Sequence, residues 1–130
     1  MAKLYLKDEK NREFYEACEG IRRSQEGYLS TKEIAYLGEA CECSSFFMSP
    51  RYIKRLIWEM NTDRHKASKF PHIQDKHAEV YNRYKHLLSE HPGKPLSWYA
   101  EEISYQPAPR FYLDKDYATV LYYKLMNKRV

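Results

Sequence analysis

Between Leu29 and Asn61 the chain carries two helix starts, and they limit what the rest of it can become. Ser30-Thr31-Lys32-Glu33 has the form of a capping box: the Ser30 hydroxyl accepts from the Glu33 amide while the Glu33 carboxylate reaches back to the Ser30 amide. Ile34, Leu37 and Cys41 then recur on one helical face. The run Cys41–Phe47 breaks that period and predicts a loop. Ser49-Pro50 opens a second helix, an N-cap followed by a proline at the first helical position, where a missing amide is no loss. Its inward stripe is Ile53, Leu56, Ile57 and Met60. At ~100° per residue, Arg51, Lys54, Arg55 and Trp58 share the opposite face. A solvated face needs charge, but it has no need of a tryptophan.

The remaining chain reads as helices with clear punctuation. Met1–Lys10 is a short extended arm or a frayed helix start. Asn11 to about Glu26 predicts a helix with Phe14, Ala17, Cys18 and Ile21 inside, stopped by Gly27. Asn61–Lys76 has no sustained period. It contains Pro71 and the basic cluster Arg64, His65, Lys66 and Lys69, and reads as a linker. From about Gln74 to Glu90, His77, Val80, Tyr81, Tyr84, Leu87 and Leu88 form one apolar stripe, ended by His91-Pro92-Gly93. Leu96–Tyr105 is a short helix with Tyr99, Ala100 and Ile103 inward, and Pro107 and Pro109 forbid its continuation. Asp114 caps a last helix whose core stripe is Tyr117, Ala118, Leu121, Tyr122 and Leu125. Lys124, Lys128 and Arg129 complement its dipole.

Only 4 Gly and 6 Pro in 130 residues leave too few tight turns for an all-β design. The expected fold is all-α, with about six helices in two similar three-helix halves. Residues 1–62 would form the first, 63–75 a basic linker and 76–130 the second, packed as one globular unit. The halves can be overlaid: Phe46 on Phe111, Tyr52 on Tyr117 and Leu56 on Leu121 are each 65 residues apart. Phe47/Tyr112, Met48/Leu113, Ser49/Asp114 and Met60/Leu125 match conservatively at the same offset, and Phe14-Tyr15 matches Val80-Tyr81 with a one-residue slip. Internal duplication is the simplest account. The outward set differs: Arg51, Lys54, Arg55 and Trp58 become Asp116, Thr119, Val120 and Tyr123. Cations contact phosphate and carboxylates repel it, so only the first half suits nucleic acid. Val120 and Tyr123 suggest packing against the first half or another chain.

Thr31-Lys32-Glu33-Ile34-Ala35 resembles the first helix of helix-turn-helix proteins, and Ser49–Ile57 resembles their recognition helix. The resemblance implies helix-turn-helix-like halves and assigns Arg51, Lys54 and Arg55 to base edges and phosphates of double-stranded DNA. The family's turn is short, whereas Gly38–Met48 is long. Pro107-Ala108-Pro109-Arg110-Phe111-Tyr112 loosely resembles a motif of small bacterial proteins, and no activity comes with it. Arg110 has two readings: an anion contact, or, as the stronger, a structural pairing.

A net charge of +4 and a pI near 8.9 are compatible with a nucleic-acid partner. No apolar run reaches the ~18 residues of a membrane span, and the N-terminus lacks a signal core, which predicts a cytoplasmic protein without a membrane partner. Cys41-x-Cys43 lacks the second ligand pair of a zinc site, so no metal is expected, and Cys18, Cys41 and Cys43 read as reduced thiols. No phosphate loop, His-Glu-x-x-His or nucleophile elbow appears, so neither catalysis nor a cofactor is expected. The expected function is DNA binding through Arg51, Lys54, Arg55, Arg64 and Lys66, in a regulator or a mobile-element accessory protein. The competing expectation is a protein-interaction module, possible as a homodimer, using Trp58, Val120, Tyr122 and Tyr123.

Overall fold

In a computed structural model that describes residues 6–24 and 28–128, the chain is all-α. Six helices occur among those residues: α1 (Lys7–Ser24), α2 (Thr31–Glu39), α3 (Pro50–Asn61), α4 (Pro71–Glu90), α5 (Leu96–Ser104) and α6 (Lys115–Lys128). The expected stop at Gly27, the arm through Tyr5 and the Arg129 charge lie outside the described residues. The local start signals form. Ser30 Oγ accepts from Glu33 N at 3.2 Å while Ser30 N donates to Glu33 Oε1 at 3.4 Å. Ser49 Oγ accepts from Tyr52 N at 3.1 Å and Asp114 Oδ2 from Tyr117 N at 3.2 Å. Each cap of this kind contributes about 1 kcal/mol. Pro71, expected within the linker, instead opens α4, because proline at N1 forfeits no helical hydrogen bond. Gly93 ends the turn after α4 at φ 85°, a conformation that suits glycine.

The described helices group into two compact units whose membership does not follow chain order. One unit is Ser44–Pro107, with α3, α4 and α5. The other combines Leu6–Cys43 with Ala108–Val130, so that α1 and α2 pack with α6. The consecutive division into residues 1–62 and 76–130 is therefore corrected: α3 belongs with α4 and α5, and α6 with α1 and α2. An amphipathic stripe states that a helix has a partner, but it does not say which one.

In the α1–α2–α6 unit, Phe14, Cys18, Ile34, Ala35, Ala118, Leu121 and Tyr122 are buried. Phe14 meets Phe111 edge-on at 5.6 Å between ring centroids. The approach of α1 to α2 is close: a Cβ on Gly38 would lie 2.5 Å from Cys18 Sγ. That contact turns α2 so that Ile34, Ala35, Gly38 and Glu39 face inward, and Leu37, expected inside, is exposed. Two buried carboxylates complete this unit. Glu39 accepts from Arg110 Nε at 2.8 Å, from Arg110 Nη2 and from Tyr112 N at 3.2 Å. Glu19 accepts from Tyr15 Oη at 2.7 Å, Tyr122 Oη at 3.1 Å and Arg22 Nε at 2.5 Å. Cys43 and Ala108, both in this unit, form an isolated antiparallel bridge through two 3.0 Å hydrogen bonds.

In the α3–α4–α5 unit, Ile53, Leu56 and Ile57 of α3, Val80, Tyr84 and Leu87 of α4, and Tyr99, Ala100 and Ile103 of α5 are buried. Tyr84 packs edge-on against Tyr99 at 5.4 Å. The Tyr99 hydroxyl donates to His91 O and accepts from Lys94 N at 3.3 Å, which ties the α4–α5 turn down. Arg83 lies 5.3 Å over the Phe46 ring and donates to Glu79 Oε2 at 2.7 Å, Gln106 Oε1 at 2.8 Å and Pro107 O at 3.2 Å.

Several backbone features recur at the 65-residue offset. Phe47 and Tyr112 both adopt left-handed φ, 55° and 59°, a conformation unfavourable for bulky residues. The capping residues Ser49 and Asp114 are a second such pair, and the bridged Cys43 and Ala108 a third.

Candidate nucleic-acid interface

Burial of Ile53, Leu56 and Ile57 fixes the rotation of α3 and turns Arg51, Lys54, Arg55 and Trp58 outward. All four are exposed. Arg55 Nε lies 3.3 Å from Glu59 Oε2, one turn along, so this cation is tied to a carboxylate. Among the described residues, Arg51, Lys54, Arg64 and Lys66 form no ion pair with a carboxylate, and each is exposed. From Pro50 to Lys69 there are six cations, Arg51, Lys54, Arg55, Arg64, Lys66 and Lys69, against Glu59 and Asp63, a surplus of four.

The chain folds back at the end of α3. Asp63 takes φ 57°, a left-handed conformation that Asp tolerates better than most residues. Arg64 N and His65 N both donate to Glu59 O, at 2.8 and 3.1 Å. This return sets the Arg64 guanidinium 5.3 Å over the Trp58 ring. It also sets the His65 ring 5.3 Å from His77 of α4, edge-on. The basic face of α3 thereby continues into the following segment.

Behind that return lies a cavity of about 480 Å³, lined by Tyr52, Arg55, Leu56, Glu59, Arg64, His65, Lys66 and His77, all in one unit. His77 is 8% exposed, and its Nδ1 is fully buried without a hydrogen-bond partner. Burial first, then His65 and Lys76, pull its pKa down to about 4 against the opposing pull of Glu59, so the ring is neutral at pH 7. Residue by residue, the sequence had marked Arg55, Arg64 and Lys66 for phosphate and His77 as a core residue. It did not bring Tyr52, Glu59 and His65 to the same place, because their convergence depends on how α4 packs on α3.

The other singled-out residues sit elsewhere. Arg110 is engaged with the buried Glu39, in line with the pairing reading and not with an anion contact. Tyr122, expected on an interaction surface, is fully buried and bonded to Glu19. Tyr117, expected in the core, is 47% exposed and joins Val120 at 49% and Tyr123 at 51% on the outside of α6. Ala118, Leu121 and Tyr122 fill the inward positions of that helix, so Tyr117 rotates out. Leu88 at 38% is likewise less buried than its stripe implied.

Cys18, Cys41 and Cys43 are thiols, not joined in disulfides. Burial pushes Cys18 up to about 12, and Cys41 and Cys43 donate weakly to Leu37 O and Arg110 O, both at 3.4 Å. Among the described residues no helix is long and apolar enough to cross a membrane. Comparison with protein-family models, with curated protein sequences and with solved structures found no match.

Proposed function

We propose that the α3–α4–α5 unit binds the phosphate backbone of double-stranded DNA, with Arg51, Lys54, Arg64 and Lys66 as the contacting cations and Arg55 as a weaker one. The observation that carries this reading is the surplus of exposed cations without carboxylate partners between Pro50 and Lys69, continued by Arg64 stacked on Trp58. Phosphate contacts of this kind release counterions, and cations not tied to a carboxylate release the most. The two helices joined by the helix-turn-helix resemblance, α2 and α3, belong to different units. In this proposal α3 therefore meets DNA with α5 as the helix packed against it. The role is binding, not catalytic, and is exercised in the cytoplasm.

The proposal includes duplication of a three-helix unit in which the third helices are exchanged. Support comes from the recurrence at 65 residues of the caps and of the left-handed Phe47 and Tyr112. On this account α6 is the counterpart of α3 without its cations.

Fluorescence anisotropy of a labelled random duplex tests the DNA reading. Four phosphate contacts give a slope of about −3.6 in log affinity against log salt, or about 150-fold weaker binding at 200 than at 50 mM salt. Arg51→Ala with Lys54→Ala lowers the slope by about 2. Absence of binding at 50 mM salt refutes the proposal. A second reading, a self-association surface, is favoured by Tyr117, Val120 and Tyr123, which leave an apolar strip on α6. Sedimentation equilibrium decides it: a dimer abolished by Val120→Glu supports that reading, and a monomer at all concentrations removes it.

A further inference from the structure

We infer that the cavity behind the α3 return is a binding site for an organic phosphate monoester of mononucleotide size. The inference rests on the reading of this unit as phosphate-binding, but it does not require duplex binding.

Size, charge and the rings of the wall converge on this assignment. The volume of about 480 Å³ falls in the ~300–1,000 Å³ range of small-molecule sites. The wall carries the cations Arg55, Arg64 and Lys66. Arg55 is held by Glu59, and Arg64 is steadied over Trp58, so Arg64 and Lys66 are the groups available to a phosphate. The single carboxylate in the wall, Glu59, repels a second anionic group and accepts from neutral donors, the hydroxyls of a sugar or an exocyclic amine. A ligand with one anionic end and one donor-rich end fits that polarity, whereas a compact polyanion does not. Tyr52 and His65 contribute rings and Leu56 an apolar side chain, surfaces on which a planar base packs.

His77 adds a neutral, hydrogen-bonding ring to the wall. Its Nδ1 is sealed, so the other ring nitrogen is the one a ligand meets, donating to a phosphate oxygen or accepting from a hydroxyl according to tautomer. The groups facing the ring are Tyr52, Glu59 and His65 from α3 and its return, and Lys76 from α4. A phosphate dianion placed among them favours imidazolium.

Adenosine 5′-monophosphate is the probe, titrated into ¹⁵N-labelled protein with the imidazole resonances of His65 and His77 as readout. Saturable shifts of both, with Kd at or below about 1 mM, are expected. Arg64→Ala and Lys66→Ala, at exposed positions that leave the core intact, each weaken binding about tenfold. His77→Phe removes the orphan nitrogen, and it lowers affinity at least tenfold while leaving the protein as stable or more so. Arg51→Ala with Lys54→Ala leaves the nucleotide affinity unchanged even where it abolishes duplex binding, which separates failure of this site from failure of the DNA reading. Strands with 5′-phosphate and 5′-hydroxyl ends distinguish a strand terminus from a free nucleotide as the source of the monoester, and binding of either monoester supports the site. Equal affinity for adenosine, equal affinity for inorganic phosphate, unchanged binding in the three cavity variants, or no saturation by about 10 mM nucleotide overturns the inference.

Discussion

Arg110→Ala gives the most demanding test of how the α1–α2–α6 unit is held. Glu39 is fully buried, and its carboxylate accepts from two nitrogens of Arg110 and from Tyr112 N, with the Lys10 charge also acting on it. Removing Arg110 takes the two-pronged contact and leaves the buried charge to the Tyr112 amide and Lys10. Breaking a buried pair in this way costs about 3–5 kcal/mol. The Arg110 side chain is 35% exposed, so water enters the vacated space and lowers the expected loss to about 2–3 kcal/mol. At a urea dependence of about 2 kcal/mol per molar, the unfolding midpoint falls by roughly 1–1.5 M with the slope unchanged. Arg110→Lys keeps the charge but not the two-pronged geometry, and recovers only part of the loss. Glu39→Gln added to Arg110→Ala removes the stranded charge, so the double variant is more stable than Arg110→Ala alone by about 1 kcal/mol or more. The variant also leaves duplex and nucleotide binding unchanged, because Arg110 belongs to the other unit. A loss under about 0.5 kcal/mol, or strict additivity of the two substitutions, refutes the buried-pair account.

Gly38→Ala forces a methyl to within 2.5 Å of Cys18 Sγ and destabilises by about 1–3 kcal/mol in thermal melts, and Cys18→Ala added to it relieves the clash, so the pair is non-additive. Acid weakens the protein in two windows. Folded His77 binds its proton only near pH 4 against 6.5 when unfolded, so stability is complete above 6.5 and falls by about 3 kcal/mol as pH drops to 4. His77→Phe removes that window from a pH series of urea titrations. Hydrogen bonds from Arg22 first, then Tyr15 and Tyr122, outweigh burial and hold the Glu19 carboxyl down at about 2. Its stability, on the order of 2 kcal/mol with Arg22 half-exposed, is present above pH 4.5 and is lost as pH falls through 2, and Tyr122→Phe narrows that window.

What the sequence revealed about this fold was whatever a few neighbouring residues decide. The caps at Ser30, Ser49 and Asp114 depend on a side chain and an amide three positions on, so they were readable. The inward rotation of α3 was readable because its stripe is unbroken. The rotation of α2 was not, since a glycine facing Cys18 and a glutamate facing Arg110 displaced Leu37 from the interior. Neither residue type signals burial until its partner is known, and Arg110 lies 71 positions away. The same limit hid the grouping of α3 with α4 and α5 and of α6 with α1 and α2. The basic residues of the candidate site were legible one by one, but the cavity they line was not, because it exists only where the return after α3 meets α4.

At the 65-residue offset, Ile53, Leu56 and Ile57 correspond to Ala118, Leu121 and Tyr122, and all six are buried. Packing therefore constrains those positions in both helices. Arg51, Arg55 and Trp58 correspond to Asp116, Val120 and Tyr123, and all six are exposed. Packing leaves those positions free, so their charges differ without loss to either core. The unpaired His77 nitrogen lies at the opposite extreme. It is sealed inside, where the fold favours an apolar group, on a residue whose ring lines the cavity together with Arg64 and Lys66. Free surface charge and a destabilising buried polar atom are independent departures from what stability alone selects, and in this chain they meet at the segment following α3.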